Sequence, residues 1–296
     1  MKPGPFRYLA PASLEEAVRL LHEHPHAKVL AGGQSLIPVL SMRLARPTHL
    51  VDIGAVEGLD RVEVRADCVR VGALVRHAAL LADDDAYAAL PILRQALSSV
   101  AHPAIRNRGT TVGSIAHADA AGEMPSVLAL TDGVVEAVGP HGRREIPAAD
   151  FFVGPLETTL AHDEVAEAVR FGRLPEGTTT AFLESARRRG DYALAGVAVA
   201  LTLGRDGRVT AARASFVSVT DIPDVLDLTS CVAGELAGAV DWARIDAAVQ
   251  DHLSPESDIH AGADYRRMLA GELARRAFAD AEAAATADPA TGGTHD

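Results

Sequence analysis

Hydrophobic positions in the first fifty-seven residues alternate between a helical and an extended period. Residues 13–24 begin with the capping-box sequence S-L-E-E and continue with apolar residues at helical spacing, which predicts an amphipathic helix. Short apolar runs at 28–31 and 49–53 predict buried strands. Between these strands lie a glycine pair and Ser35, which can cap a second helix. The order strand, glycine turn, helix and strand is typical of phosphate-binding folds.

The pattern from 58 to 175 is more mixed and predicts both strands and helices. It contains a hairpin, two helices, a stretch of small residues and two longer strands. Their predicted bounds are 61–64 and 68–72 for the hairpin, 91–101 for the first helix, 109–114 for the small-residue stretch, Pro125 for the start of the second helix, and 133–138 and 164–171 for the strands.

From residue 176 onward the pattern changes to three apolar strands followed by helices. Asp206-Gly207 is a strong hairpin sequence between the last two strands. The strands are predicted at 180–186, 196–203 and 209–219, and the helices at 225–236, 242–252 and 265–284. These changes of pattern predict domains at 1–57, 58–175 and 176–285, and we expect residues 286–296, which lack periodicity, to be a disordered tail.

The chain has 296 residues, of which 48% are hydrophobic and 23% are charged. This length allows one large domain or two to three smaller ones, and the apolar fraction argues against a disordered chain. No apolar run reaches the ~20 residues that cross a bilayer. Residues 1–5 also lack the charged-then-apolar order of a signal peptide. We therefore expect a cytoplasmic protein without a membrane segment.

Charge and cysteine content exclude further classes of protein. A net charge of −12 opposes binding to nucleic acid, and with only 4% aromatic residues the chain offers few stacking platforms for single strands. Cys68 and Cys231 are far apart in sequence, so a disulfide scaffold is excluded. An iron–sulfur cluster normally takes four thiolates, so this chain cannot hold one alone.

A first candidate binding sequence, Ala31-Gly32-Gly33-Gln34-Ser35, lies between a predicted strand and a predicted helix. Two glycines allow main-chain amides to approach an oxyanion closely, and a hydroxyl and a helix N-terminus add donors and partial positive charge. The sequence suits a diphosphate on these grounds. A glycine pair after a strand is more often a simple tight turn, however, and the fingerprints of Rossmann and P-loop proteins are absent.

A second candidate binding sequence is GTTVGSIAHAD at residues 109–119. Small residues and hydroxyls again precede a helix, so this stretch can contact the same diphosphate from the opposite side. His117, Asp119 and Glu123 follow within a short span, but a third well-spaced nitrogen or sulfur ligand for a metal is missing. Polar side chains that satisfy loop amides are the better explanation for His117, so no metal site is assigned.

A third stretch combines the arginine run Arg187–Arg189 with Gly190 and Tyr192. An arginine run is most often a solvated surface, and a tyrosine is more often part of a core than of a cofactor site. The aromatic ring could nevertheless lie on a flat cofactor. The chain contains no G-x-S-x-G sequence and offers no Ser–His–Asp assignment, so no catalytic residue is named.

Three sequences together resemble the flavin-binding medium subunit of the molybdenum hydroxylases, of the carbon monoxide dehydrogenase type and related to the flavin domain of xanthine dehydrogenase. They are AGGQSLIPVLSMRLARPTHLVDI from Ala31, IRNRGTTVGSIAHADAAGEMP from Ile105 and ARRRGDYALAGVA from Ala186. The resemblance covers nearly the whole chain, including the opening Phe6-Arg7-Tyr8 and the arginine-rich last helix. It makes diphosphate binding the favoured interpretation of both glycine turns.

The resemblance implies a role in FAD binding for several residues. Residues 31–35 and 110–114 are expected to hold the FAD diphosphate from two sides, Glu123 to bond a cofactor hydroxyl, Tyr192 to lie beside the isoalloxazine, and Ala101 to line the flavin pocket. The residues so assigned are Ala31, Gly32, Gly33, Gln34, Ser35, Leu36, Ala101, Thr110, Thr111, Val112, Gly113, Ser114, Glu123 and Tyr192.

The sequence departs from the family pattern at two of these positions. Val112 stands where many members have the first of two glycines, and it is bulkier than they are. Gln34 stands where some members carry histidine. Neither departure changes the identification of the two turns.

The resemblance also implies the fold and the function. The expected fold class is α+β, with a two-subdomain FAD-binding fold of the vanillyl-alcohol-oxidase type followed by a C-terminal α/β domain of the carbon monoxide dehydrogenase flavoprotein type. The expected function is electron transfer within a hetero-oligomer. A molybdenum-cofactor large subunit oxidises the substrate, an iron–sulfur small subunit passes electrons to FAD, and FAD reduces NAD, a quinone or another acceptor.

Two other functions remain open at this point. The scaffold could belong to a stand-alone FAD-dependent oxidoreductase that oxidises a small molecule directly. It could also have lost its flavin and serve only in assembly, for which Val112 is the one indication. Copurification with a cysteine-rich iron–sulfur chain distinguishes the first alternative, and a flavin absorbance spectrum distinguishes the second.

Overall fold

A computed structural model of the chain describes residues 1–287. The strands are β1 Arg7–Leu9, β2 Ala27–Leu30, β3 His49–Asp52, β4 Val62–Val64, β5 Cys68–Gly72, β6 Val134–Gly139, β7 Gly142–Pro147, β8 Phe152–Gly154, β9 Glu157–Thr158, β10 Val165–Gly172, β11 Thr178–Ala186, β12 Ala193–Leu203, β13 Val209–Val217 and β14 Leu226–Asp227. The α-helices are α1 Leu14–Glu23, α2 Leu36–Ser41, α3 His77–Ala82, α4 Asp84–Ala89, α5 Ile92–Leu97, α6 Pro103–Arg106, α7 Thr111–His117, α8 Glu123–Leu130, α9 Ala148–Phe151, α10 Thr229–Val232, α11 Asp246–His252 and α12 Ala263–Ala287, and a 3-10 helix spans Trp242–Ile245.

Residue contacts divide the chain into two compact units. The first unit comprises Met1–Ala89, Ala101–Asp119 and Asp132–Gly172. The second comprises Leu90–Val100, Ala120–Thr131 and the chain from Arg173 onward. The domain boundaries predicted from the sequence, at 57, 175 and 285, stay predictions.

The first unit begins with a three-stranded parallel sheet in the order β1-β3-β2. The helix α1 connects β1 to β2, and Ser13 caps it by accepting a hydrogen bond at Oγ from the Glu16 amide over 3.2 Å. Burial of its apolar face, which includes Val18 and Leu21, holds the helix in the unit. Because the three strands run in the same direction, the turns that follow β2 and β3 lie at the same edge of the sheet.

The rest of the first unit is built on a five-stranded antiparallel sheet in the order β4-β5-β10-β6-β7. The sheet positions α7, which packs against β5 and β10. A two-stranded ribbon, β8-β9, follows α9. The strands β7 and β8–β9 were not predicted, because their charged and short sequences lack an alternating apolar pattern.

The second unit has a four-stranded antiparallel sheet in the order β11-β12-β13-β14. The helix α12 packs along β11 and β12, and its buried residues Ala270, Ala274 and Phe278 share one apolar core with the inward residues of the sheet. The ring of Trp242 stacks on Phe278 with 4.8 Å between the ring centroids. Small alanines on α12 allow this close packing of helix on sheet.

Several predicted bounds differ from the structure. The helix predicted at 225–236 is wrong: β14 and the four-residue α10 occupy this stretch, and Ala233 and Gly234 end the helix. The helix predicted at 91–101 ends at Leu97. The last helix reaches Ala287, so residues 286 and 287 are helical, and the rest of the predicted disordered tail lies outside the described residues.

Candidate cofactor site

The first candidate sequence forms a turn at the carboxyl edge of the parallel sheet. It follows β2 directly and leads into α2, and Gly33 adopts a left-handed backbone conformation with φ +73°. The amide groups of residues 32–35 donate to no oxygen within the described part of the chain. Consecutive amides without an acceptor form a concave anion-binding arrangement, because each retains its partial positive charge.

The two glycine-rich sequences are in direct contact. A Cβ atom on Gly32 would lie 2.5 Å from the Arg108 carbonyl oxygen, 2.8 Å from Gly109 Cα and 3.0 Å from the Thr110 nitrogen. Only glycine permits this approach of the two backbones, since any side chain would overlap main-chain atoms. The structure therefore brings residues 32 and 108–110 together, although about 75 residues separate them in sequence.

The second sequence is a helix start rather than an open loop. The structure begins α7 at Thr111, and Thr110 is its N-cap, accepting a hydrogen bond at Oγ1 from the Gly113 amide over 3.1 Å. The Ser114 amide donates to the Thr110 carbonyl over 3.0 Å. The small-residue stretch predicted at 109–114 therefore overlaps the first turn of α7, because threonine at the N-cap accepts from a first-turn amide and stabilises the helix.

A buried histidine and an arginine hold this second turn in place. The His77 amide donates to the Gly109 carbonyl over 3.0 Å, and His77 Nδ1 lies 3.2 Å from Thr111 Oγ1. Burial, with a smaller contribution from Arg106, lowers the pKa of His77 to about 4, so the imidazole is neutral at pH 7. The Arg76 guanidinium donates to the Arg108 carbonyl. Sequence reasoning missed both residues, since neither lies in a small-residue stretch.

A cleft of about 470 Å³ opens beside the first turn. Its polar lining combines the main chain of residues 31–34 with Asp52, at the end of β3, and Arg108. The Asp52 carboxylate accepts hydrogen bonds from the Gly54 amide over 2.8 Å and the Tyr8 hydroxyl over 2.6 Å. The cleft therefore presents a glycine turn and an arginine to an anion, beside a carboxylate whose two oxygens each already accept one hydrogen bond.

The remaining predicted residues of the first unit are placed as follows. Val112 is 2% exposed, so its side chain belongs to the core and does not cover the turn. Ala101 adopts a left-handed backbone with φ +42°, and its carbonyl accepts a hydrogen bond from the Arg106 guanidinium over 2.8 Å. Ser35 makes no capping hydrogen bond, so the predicted cap of α2 is wrong. Its backbone is already helical, which turns the hydroxyl away from the α2 amides.

Glu123 and Tyr192 belong to the second unit. Glu123 is the first residue of α8, where a carboxylate interacts favourably with the helix dipole. Tyr192 is 69% exposed and directly precedes β12. It follows a tight turn in which Gly190 has φ +87° and the Asp191 amide donates to the Arg188 carbonyl over 3.1 Å. The side chains of Arg187–Arg189 are exposed.

Residues 1–287 contain no group of three or more histidine, cysteine, aspartate or glutamate side chains arranged to hold a metal ion. The sequence had suggested such a group only weakly, at His117 and the acidic residues that follow it. In the same residues, every helix is too short or too polar to cross a membrane. The cytoplasmic location stays a prediction.

The glycine cradle, the unsatisfied amides and the arginine fit the diphosphate of a dinucleotide cofactor, on a fold that combines parallel and antiparallel sheets. The family described as the FAD binding domain in molybdopterin dehydrogenase matches residues 4–174, and the CO dehydrogenase flavoprotein C-terminal domain matches residues 180–281. The chain belongs to the FAD-binding medium subunits of the molybdenum hydroxylases.

Individual relatives agree with this assignment over their full lengths. The nicotine 6-hydroxylase medium subunit of Paenarthrobacter nicotinovorans is 43% identical, over 96% of this chain and 99% of the relative. The carbon monoxide dehydrogenase medium chain of Afipia carboxidovorans is 36% identical over the same shares. Among solved structures, quinoline 2-oxidoreductase from Pseudomonas putida 86 matches with a TM-score of 0.89 and 36% identity, over 96% of this chain and 99% of that chain.

These comparisons confirm the expected family, the mixed α and β fold with its two domain types, and FAD as the cofactor. The chain is a subunit of an oxidoreductase complex, and it has partner subunits. The individual FAD-binding residues stay predictions.

Proposed function

We propose that this chain holds FAD by its diphosphate at residues 32–35 and relays electrons through it. The electrons come from an iron–sulfur small subunit, which receives them from a molybdenum-cofactor large subunit. They leave to NAD, a quinone or another acceptor. FAD supplies the chemistry, because a flavin takes up electrons singly and releases them in pairs.

One observation carries this proposal. The consecutive amides of residues 32–35 lack acceptors, and they are held at a contact that only glycine permits between Gly32 and residues 108–110. Main-chain amides that have no acceptor in the chain and border an open cleft are available to donate to a ligand. A diphosphate supplies several acceptor oxygens at once, and the negative charge is favoured by the N-terminus of α2.

The chain's own residues bind and orient the cofactor in this scheme. Arg108, on the cleft wall, provides a positive charge for the diphosphate, and Ser35 provides a hydroxyl donor. Asp52 and Tyr8 bond to each other and keep the sheet edge in place. Glu123 and Tyr192 are proposed to contact the cofactor hydroxyls and the isoalloxazine, as the family resemblance implies. No side chain is assigned as a general acid or base.

The proposed electron donor follows from the cysteine content and the relatives. The chain has two cysteines, which is fewer than a cluster needs, so a cluster must belong to another subunit. Similar proteins are described as the medium subunit or medium chain of nicotine 6-hydroxylase and carbon monoxide dehydrogenase. These names support a partner-dependent role more than a stand-alone oxidoreductase.

Substitution of Gly32 tests the proposal. In Gly32→Ala, the added Cβ would meet the main chain of residues 108–110 at 2.5–3.0 Å, so the two turns must separate. We expect the dissociation constant for FAD to rise by at least about tenfold, equivalent to ~1.4 kcal/mol. Riboflavin, which lacks the diphosphate, should lose much less affinity. Fluorescence titration of the full chain with both ligands measures this difference.

Gly154→Ala is the matched control, because a Cβ there would meet only a carboxylate oxygen of Glu157 at an ordinary 3.8 Å. It should bind both flavins like the wild-type chain. If Gly32→Ala folds and still binds FAD with wild-type affinity, the diphosphate is held elsewhere and the proposal is wrong. Ser35→Ala, which removes one donor without a steric clash, gives the same test if Gly32→Ala does not fold.

A further inference from the structure

A buried arginine lies at the start of the last helix of the second unit. Arg266 is 6% exposed and occupies the first turn of α12. This position is unfavourable in two ways: burial removes the guanidinium from water, and the N-terminus of a helix repels a cation. Its Nε also donates to no acceptor among the described residues. A charge kept there despite these costs has a structural or functional task.

The task is visible in the bonds made by the other two guanidinium nitrogens. Arg266 Nη1 donates to the Leu194 carbonyl over 2.6 Å and, at a longer 3.4 Å, to the Ser218 carbonyl. Arg266 Nη2 donates to Asp258 Oδ2 over 2.7 Å. The arginine therefore joins the beginning of β12, the end of β13 and the segment before α12.

Asp258 fixes the arginine from the opposite side. One of its oxygens accepts hydrogen bonds from the amides of His260 and Ala261, over 2.8 Å and 3.0 Å, and the other accepts from Arg266. The amide donors, together with Arg266, hold the pKa of Asp258 far below its usual range. The carboxylate is thus ionised at neutral pH, and its bond to Nη2 orients the guanidinium toward the two carbonyls.

One of these carbonyls lies in the segment of Tyr192, and the residue that carries the other is bonded to the segment of Glu123. Leu194 is two residues after Tyr192. Ser218 has a strained left-handed backbone with φ +65°, and its amide donates to the Ala120 carbonyl over 2.9 Å. Ala120 is three residues before Glu123. Backbone strain at a non-glycine residue persists only where the surroundings enforce it, and here the carbonyl of Ser218 is held by Arg266 and its amide by Ala120.

We propose that Arg266 is a positioning residue for the FAD site, which fixes the segment of Tyr192 through Leu194 and the segment of Glu123 through Ser218 and Ala120. It does not touch the cofactor itself. This inference rests on the proposed function, because it requires that Tyr192 and Glu123 contact FAD. It assigns to α12 a role in cofactor binding beyond its packing against the sheet.

A double-mutant cycle on the full chain tests this role. The dissociation constant for FAD is measured for the wild type, Arg266→Gln, Tyr192→Ala and the double variant. We expect each single substitution to weaken binding about tenfold. The double variant should be weakened by clearly less than the product of the two single effects, because part of the effect of Arg266→Gln comes from displacing the tyrosine. If the arginine were solely structural, Arg266→Gln would lower the melting temperature, and the increases in the FAD dissociation constant caused by the two substitutions would multiply in the double variant.

Arg267→Gln is the matched control, since the adjacent Arg267 bonds to the Leu253 carbonyl and Asp264 instead. It should keep wild-type affinity. Arg266→Lys retains the charge and should recover part of the loss, and it replaces Arg266→Gln in the cycle if that variant does not fold. Multiplicative effects in a chain that binds FAD overturn this inference alone, whereas a wild-type chain without FAD binding overturns the proposed function as well.

Discussion

At the scale of the single residue, His77 supports the second glycine turn although it lies outside the cleft lining. Its ring packs against Gly109, where a Cβ would lie 3.0 Å from His77 Cδ2, and its amide holds the Gly109 carbonyl. Gly109 in turn contacts Gly32. The imidazole can remain in this place only while neutral, because a buried cation beside Arg106 would be both desolvated and repelled.

The pH dependence of stability follows from this burial. The folded chain holds the pKa of His77 at about 4 and the unfolded chain at 6.5, so between these values the unfolded state binds more protons. Stability is therefore complete above pH 6.5 and is lost as the pH falls towards 4, by about 3 kcal/mol for this group. His77→Gln should remove that part of the loss, as measured by urea unfolding at pH 7 and pH 4.

His141→Gln, in the exposed turn between β6 and β7, provides the comparison. Acidic groups also contribute to acid destabilisation, and they do so equally in both variants. Equal slopes of stability against pH for His77→Gln and the wild type would contradict a neutral buried imidazole.

The sequence alone identified the glycine turns but not the residues that support them. The two glycines and Ser35 stand out because small residues and hydroxyls rarely cluster without a backbone reason. His77 acts through the main chain of a distant segment, and Asp52 bonds to the hydroxyl of the distant Tyr8. Such long-range contacts have no local sequence pattern. Burial of Val112 is similar: from sequence it is a departure from the family pattern, and only packing shows that its side chain points into the core.

At the scale of the element, β11 carries a carboxyl group in an apolar setting. Glu184 lies opposite Gly196 of β12, and a Cβ on that glycine would come within 3.1 Å of Glu184 Cβ. Its Oε2 is buried without a partner in the described residues. Burial raises the pKa of Glu184 to about 7, although a hydrogen bond from Ser99 opposes the shift. The same hairpin contains Tyr192, so a destabilising buried carboxyl group lies in the element that carries this proposed site residue.

Replacement of this carboxyl group should stabilise the chain in a pH-dependent way. Above pH 4.5 the unfolded state releases the proton that the folded state retains up to about pH 7, so stability falls as the pH rises through this range. Glu184→Gln should therefore be more stable than the wild type at pH 8 and nearly equal to it at pH 4. The expected gain in the free energy of unfolding at pH 8 is about 2 kcal/mol, which is less than the full pKa shift implies because the carboxyl group is only partly buried. Thermal unfolding at the two pH values measures this.

The exposed Glu176→Gln is the control, and it should change stability little at either pH. A Glu184→Gln variant that is less stable than the wild type at pH 8 would show that the carboxylate is ionised and paired. FAD affinity measured on the same variant then reports whether the stability gained has a functional cost.

Elements with a regular period were predictable, and those set by capping or by long-range contact were not. The strands β11, β12 and β13 and the helix α12 have long apolar patterns, and their predicted and observed spans largely coincide. The segment 225–236 has apolar residues at helical spacing, yet Leu226 and Asp227 pair with β13. Tertiary pairing overrode local propensity there.

At the scale of the whole molecule, the proposed redox role requires that other subunits hold the metal centres. Cys68 lies in β5 of the first unit, and burial, with the charge of Asp67, raises the pKa of its thiol. Cys231 lies in α10 of the second unit. A protonated buried thiol is a poor metal ligand, and two thiols are fewer than a cluster needs.

The purified full chain should therefore contain FAD and no iron. Its flavin absorbance should be bleached by dithionite but not by a small-molecule substrate of a molybdenum hydroxylase, because in the proposed function the electrons reach FAD through a partner's cluster. Addition of the iron–sulfur and molybdenum subunits should restore bleaching by that substrate.

The double variant Cys68→Ala, Cys231→Ser is the decisive control: it should be reduced through the partners at the wild-type rate, as followed by stopped-flow absorbance. Turnover of a small molecule by the isolated, iron-free chain would instead establish a stand-alone oxidoreductase.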